Sequence, residues 1–237
     1  MSFLEDQHSL AASVLRVGRG LVVLPRQQKN PPRPEKWLEL YDHEGCPFCR
    51  KVRDVMSELD LAYIERSCPK GDTTKRPFVA SKGQEMFPFL VDPNTGKELH
   101  ESEDIITYLV DTYGGGRSRF GKLASPLNTV SSVAASVARP KGSRCRPGCE
   151  NREQPAELLE LYNFEASPYC RKVREALCEL NLDYKVHNVA KKSARRPELV
   201  ARGGKMLVPY LIDPNTSTEM YESDDIVAYL ERTYAGG

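Results

Sequence analysis

The feature that most limits the fold of this chain is an internal duplication. A gapless alignment joins LELYDHEGCPFCRKVRDVMSELDLAY, which begins at Leu38, to LELYNFEASPYCRKVREALCELNLDY, which begins at Leu159. A second pair of segments, which begin at Phe87 and Val208, aligns with the same offset of 121 residues. Two units are too few for a solenoid, so the sequence predicts a duplicated domain of roughly 80 residues per copy.

Both copies have the same predicted order of elements. In the first copy, alternating or apolar stretches predict four strands, at 37–42, 61–66, 88–92 and 97–100. A helix lies between the first two strands; it begins at Pro47 and has Phe48 on its apolar face. The last helix has Ser102 as its N-cap and ends at Gly114. The order βαβ-(α)ββα makes the first two strands parallel and the last two an antiparallel hairpin. The predicted fold class is therefore α/β, with a mixed four-stranded sheet in each copy.

Two segments lie outside the copies. Residues 1–36 combine near-helical apolar spacing with the extended run PRQQKNPPRP. Residues 115–154 are rich in Gly, Ser, Ala, Arg and Pro, and a segment of this length is unusual inside a compact domain. The sequence therefore predicts an N-terminal helix or extended tether at 1–36 and a first domain at 37–114. A linker follows at 115–154, in which LNTVSSVAASVA can dock as a helix, and a separate second domain occupies 155–237.

Charge and apolar content exclude several classes of function. The formal net charge is +1, and no basic stripe alternates with aromatic residues, so no nucleic-acid partner is predicted. The longest apolar run is about five residues, too short to span a bilayer. Of seven cysteines, only Cys46/Cys49 and Cys145/Cys149 are close in sequence, which favours a reducing compartment over a secreted disulfide scaffold.

The strongest chemical signal is CPFC at the start of the first helix. Cys46 and Cys49 are three residues apart across a helix start, so their sulfurs can face each other and form a small disulfide ring. Free backbone N–H groups and the helix dipole favour a thiolate at Cys46, and the cations Arg50, Lys51 and Arg53 follow it. The sequence therefore predicts Cys46 as the nucleophile and Cys49 as the resolving or structural thiol.

The second copy has SPYC in place of CPFC. Ser167 replaces the nucleophile, and an alcohol does not exchange with disulfides, so the second copy is predicted to be redox-degenerate while Cys170 corresponds to Cys49. Zinc is the usual alternative for a CxxC pair, but the histidines are scattered, and no metal site is predicted. No role is assigned to Cys68, Cys145, Cys149 or Cys178.

Three features together resemble the thioredoxin fold: CPFC after a strand, Phe87-Pro88 before the third strand, and Glu101-Ser102 at the last helix. They are similar to those of glutaredoxins and of the N-terminal domain of glutathione transferases. The tandem arrangement resembles the double glutathione-transferase N-terminal-like, or glutaredoxin-like, proteins of plants, algae and cyanobacteria. The resemblance implies two tandem thioredoxin-like domains, glutathione as co-substrate, and disulfides or glutathionylated proteins as partners.

The resemblance also implies a glutathione site. In that family the proline before the third strand is cis, and here Phe87, which precedes Pro88, would pair its backbone with the cysteinyl part of glutathione. Ser102 would hold the γ-glutamyl carboxylate at a helix N-terminus, Glu101 would meet the ammonium, and Phe48 would line the same site. The matching positions of the second copy are Val208, Pro209, Glu222 and Ser223. Whether this second site binds glutathione is left open.

The leading hypothesis is a glutathione-linked thiol–disulfide oxidoreductase. The Cys46 thiolate would attack a disulfide, and glutathione or Cys49 would resolve the mixed disulfide. The alternatives are a tandem scaffold that binds glutathione or a partner without turnover, transferase-like activity, and iron–sulfur cluster carriage. Since no all-helical second domain follows either copy, transfer to bulky electrophiles is less favoured.

The compartment is inferred from the resemblance, which implies a plastid, with the cytoplasm as the alternative. The arginines and serines of residues 1–36 are typical of a transit peptide, whereas Glu5 and Asp6 are not.

Overall fold

The computed structural model describes residues 20–115 and 141–236. A short helix, α1 (Pro25–Lys29), precedes the first copy. The first copy consists of β1 (Leu38–Asp42), α2 (Pro47–Glu58), β2 (Tyr63–Ser67), α3 (Lys75–Ser81), β3 (Phe89–Asp92), β4 (Lys97–Leu99) and α4 (Ser102–Thr112). The second copy repeats this order as β5 (Leu159–Asn163), α5 (Pro168–Glu179), β6 (Tyr184–Asn188), α6 (Arg196–Gly203), β7 (Tyr210–Asp213), β8 (Thr218–Tyr221) and α7 (Ser223–Tyr234).

Each copy forms the mixed four-stranded sheet that its sequence predicts. Strands β1 and β2 are parallel, β3 is antiparallel to β1, and β4 closes the hairpin with β3. The second copy pairs its strands in the same way. The α/β fold class, with two thioredoxin-like units, is confirmed.

The two sheets are joined, which the sequence analysis does not predict. Strand β2 pairs antiparallel with β6, and the full strand order is β4-β3-β1-β2-β6-β5-β7-β8. Ile64 lies opposite Lys185, which occupies the equivalent position of the second copy, so a pseudo-twofold axis passes through this pair. Among the strands that the structure describes, none is exchanged between the copies. The sequence predicts two separate domains and does not indicate this pairing. It forms because an edge strand has unpaired N–H and C=O groups, and the two equivalent edges satisfy each other.

The hydrophobic core extends across this junction. Strand residues alternate between the two faces of the sheet, so Leu40 faces the larger core while the adjacent Tyr41 packs beneath α3. The larger core also contains Leu161 and Leu211 of the second copy, which are fully buried. Each such leucine contributes about 1.5–3 kcal/mol through its removal from water. Side-chain packing therefore ties the copies together in addition to the strand pairing.

The segments before each copy cross to the other copy. Near the N-terminus, Val23 N–H donates to Lys191 O at 3.0 Å. In the symmetric place, Lys70 N–H donates to Ser143 O at 2.8 Å, so residues 141–154 of the predicted linker contact both copies. The remaining linker residues 116–140, with the proposed helix LNTVSSVAASVA, lie outside the described residues, as do residues 1–19. Within the described ranges, no helix is long and apolar enough to cross a membrane.

Candidate active site

The CPFC segment forms the first turn of α2. Cys46 is the N-cap with an extended backbone (φ −79°, ψ 124°), and Pro47 is the first helical residue. The N–H of Cys49 donates to Cys46 Sγ at 3.3 Å. Cys46 is only 6% exposed and Cys49 is fully buried. The turn therefore directs a helix-terminal N–H at the sulfur that the sequence predicts as the nucleophile.

The two thiols differ in acidity. The pKa of Cys46 is lowered, first by a hydrogen bond from the Cys49 side chain and then by the N–H groups of Cys49 and Phe48, against the opposing effect of burial. The pKa of Cys49 is raised well above its usual value, first by burial and then by the same hydrogen bond with Cys46. Cys46 thus becomes a thiolate at a lower pH than Cys49, and the thiolate is the reactive form.

The cations that follow CPFC do not act as the sequence analysis expects. Arg50 and Arg53 are buried and form ion pairs with Glu165 of the second copy. Lys51 pairs with Glu103 at the start of α4. Because carboxylates match these charges, the hydrogen bonds of the first helical turn, rather than the cations, lower the pKa of Cys46.

The third strand of the thioredoxin-like unit brings a backbone group to the thiol. The Phe87-Pro88 and Val208-Pro209 peptide bonds are both cis. Phe87 O lies 4.0 Å from Cys46 Sγ. The Phe48 ring, expected on the apolar face of the helix, is instead 46% exposed. The backbone of Phe87 therefore lies beside the thiol, while the Phe48 ring faces solvent.

The start of the last helix differs from the sequence prediction by one residue. Glu101, and not Ser102, is the N-cap of α4, with φ 66° and no side-chain capping hydrogen bond. Glu222 has the same left-handed backbone in the second copy, with φ 67°, a conformation that is uncommon for residues other than glycine. Ser102 is the first helical residue and is buried. The ion pair between Lys51 and Glu103 joins this helix start to α2.

A cleft near Phe87 was not found by sequence reasoning. Its volume is about 600 Å³, and its lining residues are Lys70, Gly71, Asp72, Thr73, Arg76, Pro77 and Glu85. The guanidinium of Arg76 lies 4.7 Å from the centre of the Phe87 ring, and its Nε donates to Pro69 O at 3.0 Å. Arg196 binds Ala190 O in the same way in the second copy. The Arg-Pro pair repeated in both copies is the signal that could have located this cleft.

The second copy keeps the shape of the site without the nucleophile. Cys170 N–H donates to Ser167 Oγ at 3.3 Å, the same distance as in the first copy. Burial raises the pKa of Cys170, and the Tyr169 ring is exposed like that of Phe48. Since the reactive sulfur is replaced by a hydroxyl, this site lacks a thiolate at the exchange position.

Each of the seven cysteines is a free thiol. Cys68 and Cys178 are buried, and burial raises the pKa of both thiols. Cys145 and Cys149 lie in the segment that contacts both copies, and the pKa of Cys145 is raised to about 12, mainly by burial. Across residues 20–115 and 141–236, no group of three or more His, Cys, Asp or Glu side chains could hold a metal ion.

Comparison with known proteins identifies the family. The model of the glutathione S-transferase N-terminal domain matches residues 40–117 and 161–237. The chain is also 33% identical over 76 residues to Glutathione S-transferase-like protein OpS6 of Beauveria bassiana (strain ARSEF 2860). This alignment covers 32% of the chain and 35% of the relative, so the chain spans about a third of that relative's length. No solved structure matches. Because the two family matches cover more than half of the sequence, the chain belongs to the glutathione S-transferase N-terminal domain family, of which it carries two copies.

Proposed function

We propose that the chain is a glutathione-linked thiol–disulfide oxidoreductase whose nucleophile is Cys46. The observation that carries this proposal is the geometry of the helix start. A thiol with a lowered pKa, hydrogen-bonded to the N–H of Cys49, lies beside the backbone of Phe87. Family membership supports a role for glutathione but does not distinguish exchange from transfer.

The reaction proceeds by two displacements at sulfur. The Cys46 thiolate attacks the glutathione sulfur of a glutathionylated thiol, forms a new S–S bond with it and releases the substrate thiolate, which takes a proton from water. A second glutathione thiolate then attacks the glutathione sulfur of this mixed disulfide. Oxidised glutathione leaves and the Cys46 thiolate is restored. One free glutathione is consumed per turnover: its sulfur is oxidised to the disulfide level and the substrate sulfur is reduced to a thiol, while the glutathionyl unit of the substrate leaves within oxidised glutathione.

Cys49 offers the alternative route of resolution. Its thiol would have to lose a proton before it attacked the sulfur of Cys46, and the raised pKa of Cys49 opposes this loss. Resolution by free glutathione is therefore the favoured route, and Cys49 serves chiefly as the hydrogen-bond donor that stabilises the Cys46 thiolate.

The groups around Cys46 suit a tripeptide with two carboxylates. The Phe87 backbone would pair with the cysteinyl unit, and Glu101 and Ser102 at the start of α4 would meet the γ-glutamyl end. In the neighbouring cleft Arg76 pairs with Glu85, so Lys70 is the cation that would attract the other carboxylate.

The second copy is proposed to bind or to scaffold without exchange. Ser167 keeps the cap geometry, and Val208-Pro209 and Glu222-Ser223 keep the surrounding frame. A hydroxyl at this position can donate a hydrogen bond to a glutathione thiolate, which makes transferase-like activity the second candidate.

The plastid location stays a prediction from the resemblance.

Paired assays of one protein preparation test the proposal. The first follows reduction of a small glutathione mixed disulfide with glutathione and a recycling reductase, and the second follows conjugation of glutathione to a chromogenic electrophile. We expect a rate proportional to protein concentration in the first assay and only a minor rate in the second. Conjugation without disulfide reduction would assign the chain to transfer instead.

A further inference from the structure

Each copy supplies an arginine to the loop that precedes the other copy's cysteine motif. Glu44 lies two residues before Cys46, and Glu165 occupies the same place before SPYC. Arg174, from helix α5 of the second copy, pairs with Glu44 of the first. Arg53, from α2 of the first copy, pairs with Glu165 of the second. The pseudo-twofold axis therefore brings the two loops into one buried ion cluster.

The contact between Arg174 and Glu44 is bidentate. Nε donates to Oε2 and Nη2 donates to Oε1, both at 3.1 Å. Arg174 is 1% exposed and Glu44 4%, so water cannot replace either partner. Bidentate charge-assisted pairs are among the strongest and most directional hydrogen-bonded contacts in proteins. Arg174 thus fixes the direction in which the Glu44 side chain leaves the loop.

The loop is short and tied at several points. Cys46 N–H donates to His43 O at 3.0 Å, and Gly45 N–H donates to Gly142 O at 3.2 Å. Arg53 donates from Nη2 to the carbonyl of Glu44 at 3.3 Å. The ion pairs of the Glu44 side chain add to these backbone ties, so they help to hold the loop that ends at Cys46.

Charge gives a second link between the arginine and the thiol. Asp42 raises the pKa of Cys46, and Glu44 places another carboxylate two residues from the sulfur. Arg53 is shared among Asp42, Glu44 and Glu165, and Arg174 is shared between Glu44 and Glu165, so both arginines are needed to balance these carboxylates. Loss of Arg174 would leave more negative charge beside Cys46 and disfavour the thiolate.

We propose that Arg174 of the second copy is a positioning residue for Cys46 of the first, and that it acts through Glu44. The proposal deepens the exchange reaction above and rests on it for any effect on turnover. The reactivity of the Cys46 thiol tests it without glutathione. The proposal also gives the second copy a role that does not require a nucleophile at Ser167, because its helix α5 supports the active site of the first copy.

The test measures alkylation of Cys46 by iodoacetamide against pH, resolved to this residue by peptide mass spectrometry. In R174Q we expect the rate at neutral pH to fall about tenfold, as a rise of one unit in thiol pKa would produce. In R174K, which keeps the charge but loses the bidentate fork, we expect a smaller loss and partial recovery of the pH profile. The control is D213A, which removes the buried acceptor of Tyr229 and Tyr234 in the second copy and leaves Arg174 in place.

Circular dichroism first establishes which variants are folded. A folded R174Q that is alkylated at the wild-type rate would overturn the proposal, as would a D213A variant that loses as much reactivity as R174Q. If R174Q does not fold, R174K decides: a wild-type profile rejects positioning by Arg174, and a profile shifted to higher pH supports it. A wild type without disulfide reductase activity would refute the proposed function and leave this readout intact.

Discussion

Replacement of Cys46 by serine is expected to lower glutathione-dependent reduction of a mixed disulfide by about 10³-fold or more, because removal of a nucleophile removes the covalent step. The Cys49 N–H lies 3.3 Å from Cys46 Sγ and stabilises a thiolate there. The same N–H cannot lower the pKa of a serine hydroxyl far enough for the hydroxyl to ionise. The measurement is the initial rate at fixed glutathione concentration with wild-type and C46S proteins.

The second copy provides matched controls for this prediction. S167A changes the equivalent N-cap and should keep most of the activity, since Ser167 does not exchange disulfides. C170S changes a fully buried thiol with a raised pKa and should behave in the same way. An active C46S together with an inactive C170S would reverse the roles of the two copies.

Replacement of Arg53 by leucine is expected to lower the free energy of unfolding by about 3–5 kcal/mol, the usual cost of breaking a buried ion network by removing one partner. Arg53 Nη1 lies 2.6 Å from Asp42 Oδ2. Its Nη2 lies 3.0 Å from Glu44 Oε2, and its Nε lies 3.0 Å from Glu165 Oε2. Without the guanidinium, three buried carboxylates lose their shared partner. Urea unfolding followed by far-UV circular dichroism measures the change.

The control is R202L, which removes an exposed arginine that pairs with Glu219 at 2.9 Å. Surface ion pairs contribute about 0–1 kcal/mol, so R202L should unfold close to the wild type. Equal urea midpoints for R53L and R202L would show that the ion cluster does not hold the copies together.

Local structure could be predicted from the sequence because it depends on residues that are neighbours along the chain. Pro47 at the first helical position and the alternation in LELY define the βα start of both copies, and the observed strands begin and end within two residues of the predicted bounds. The exception is the cap of α4, where the left-handed backbone of Glu101 moves the cap one residue before Ser102. Hydroxyl side chains favour caps, but propensity does not report backbone conformation.

Contacts between the two copies could not be predicted from the sequence in the same way. The pairing of β2 with β6 uses backbone groups of edge strands, which leave no pattern in side-chain polarity. Arg50 and Arg53, which follow CPFC, were expected to act on the thiol, yet both pair with Glu165 of the opposite copy. A hint was present, because Glu44 and Glu165 recur at the same offset as the arginines. Charge alone could not say which partners would meet across the axis.

The most direct measurement of the central claim is peptide mapping of a trapped glutathione adduct. The C49S variant is incubated with oxidised glutathione, quenched with acid, digested and analysed by mass spectrometry, so that a mixed disulfide is not resolved within the site. The account predicts one glutathione on Cys46 and none on Cys170. An adduct on Cys170 or another buried cysteine, with Cys46 unmodified, would contradict it.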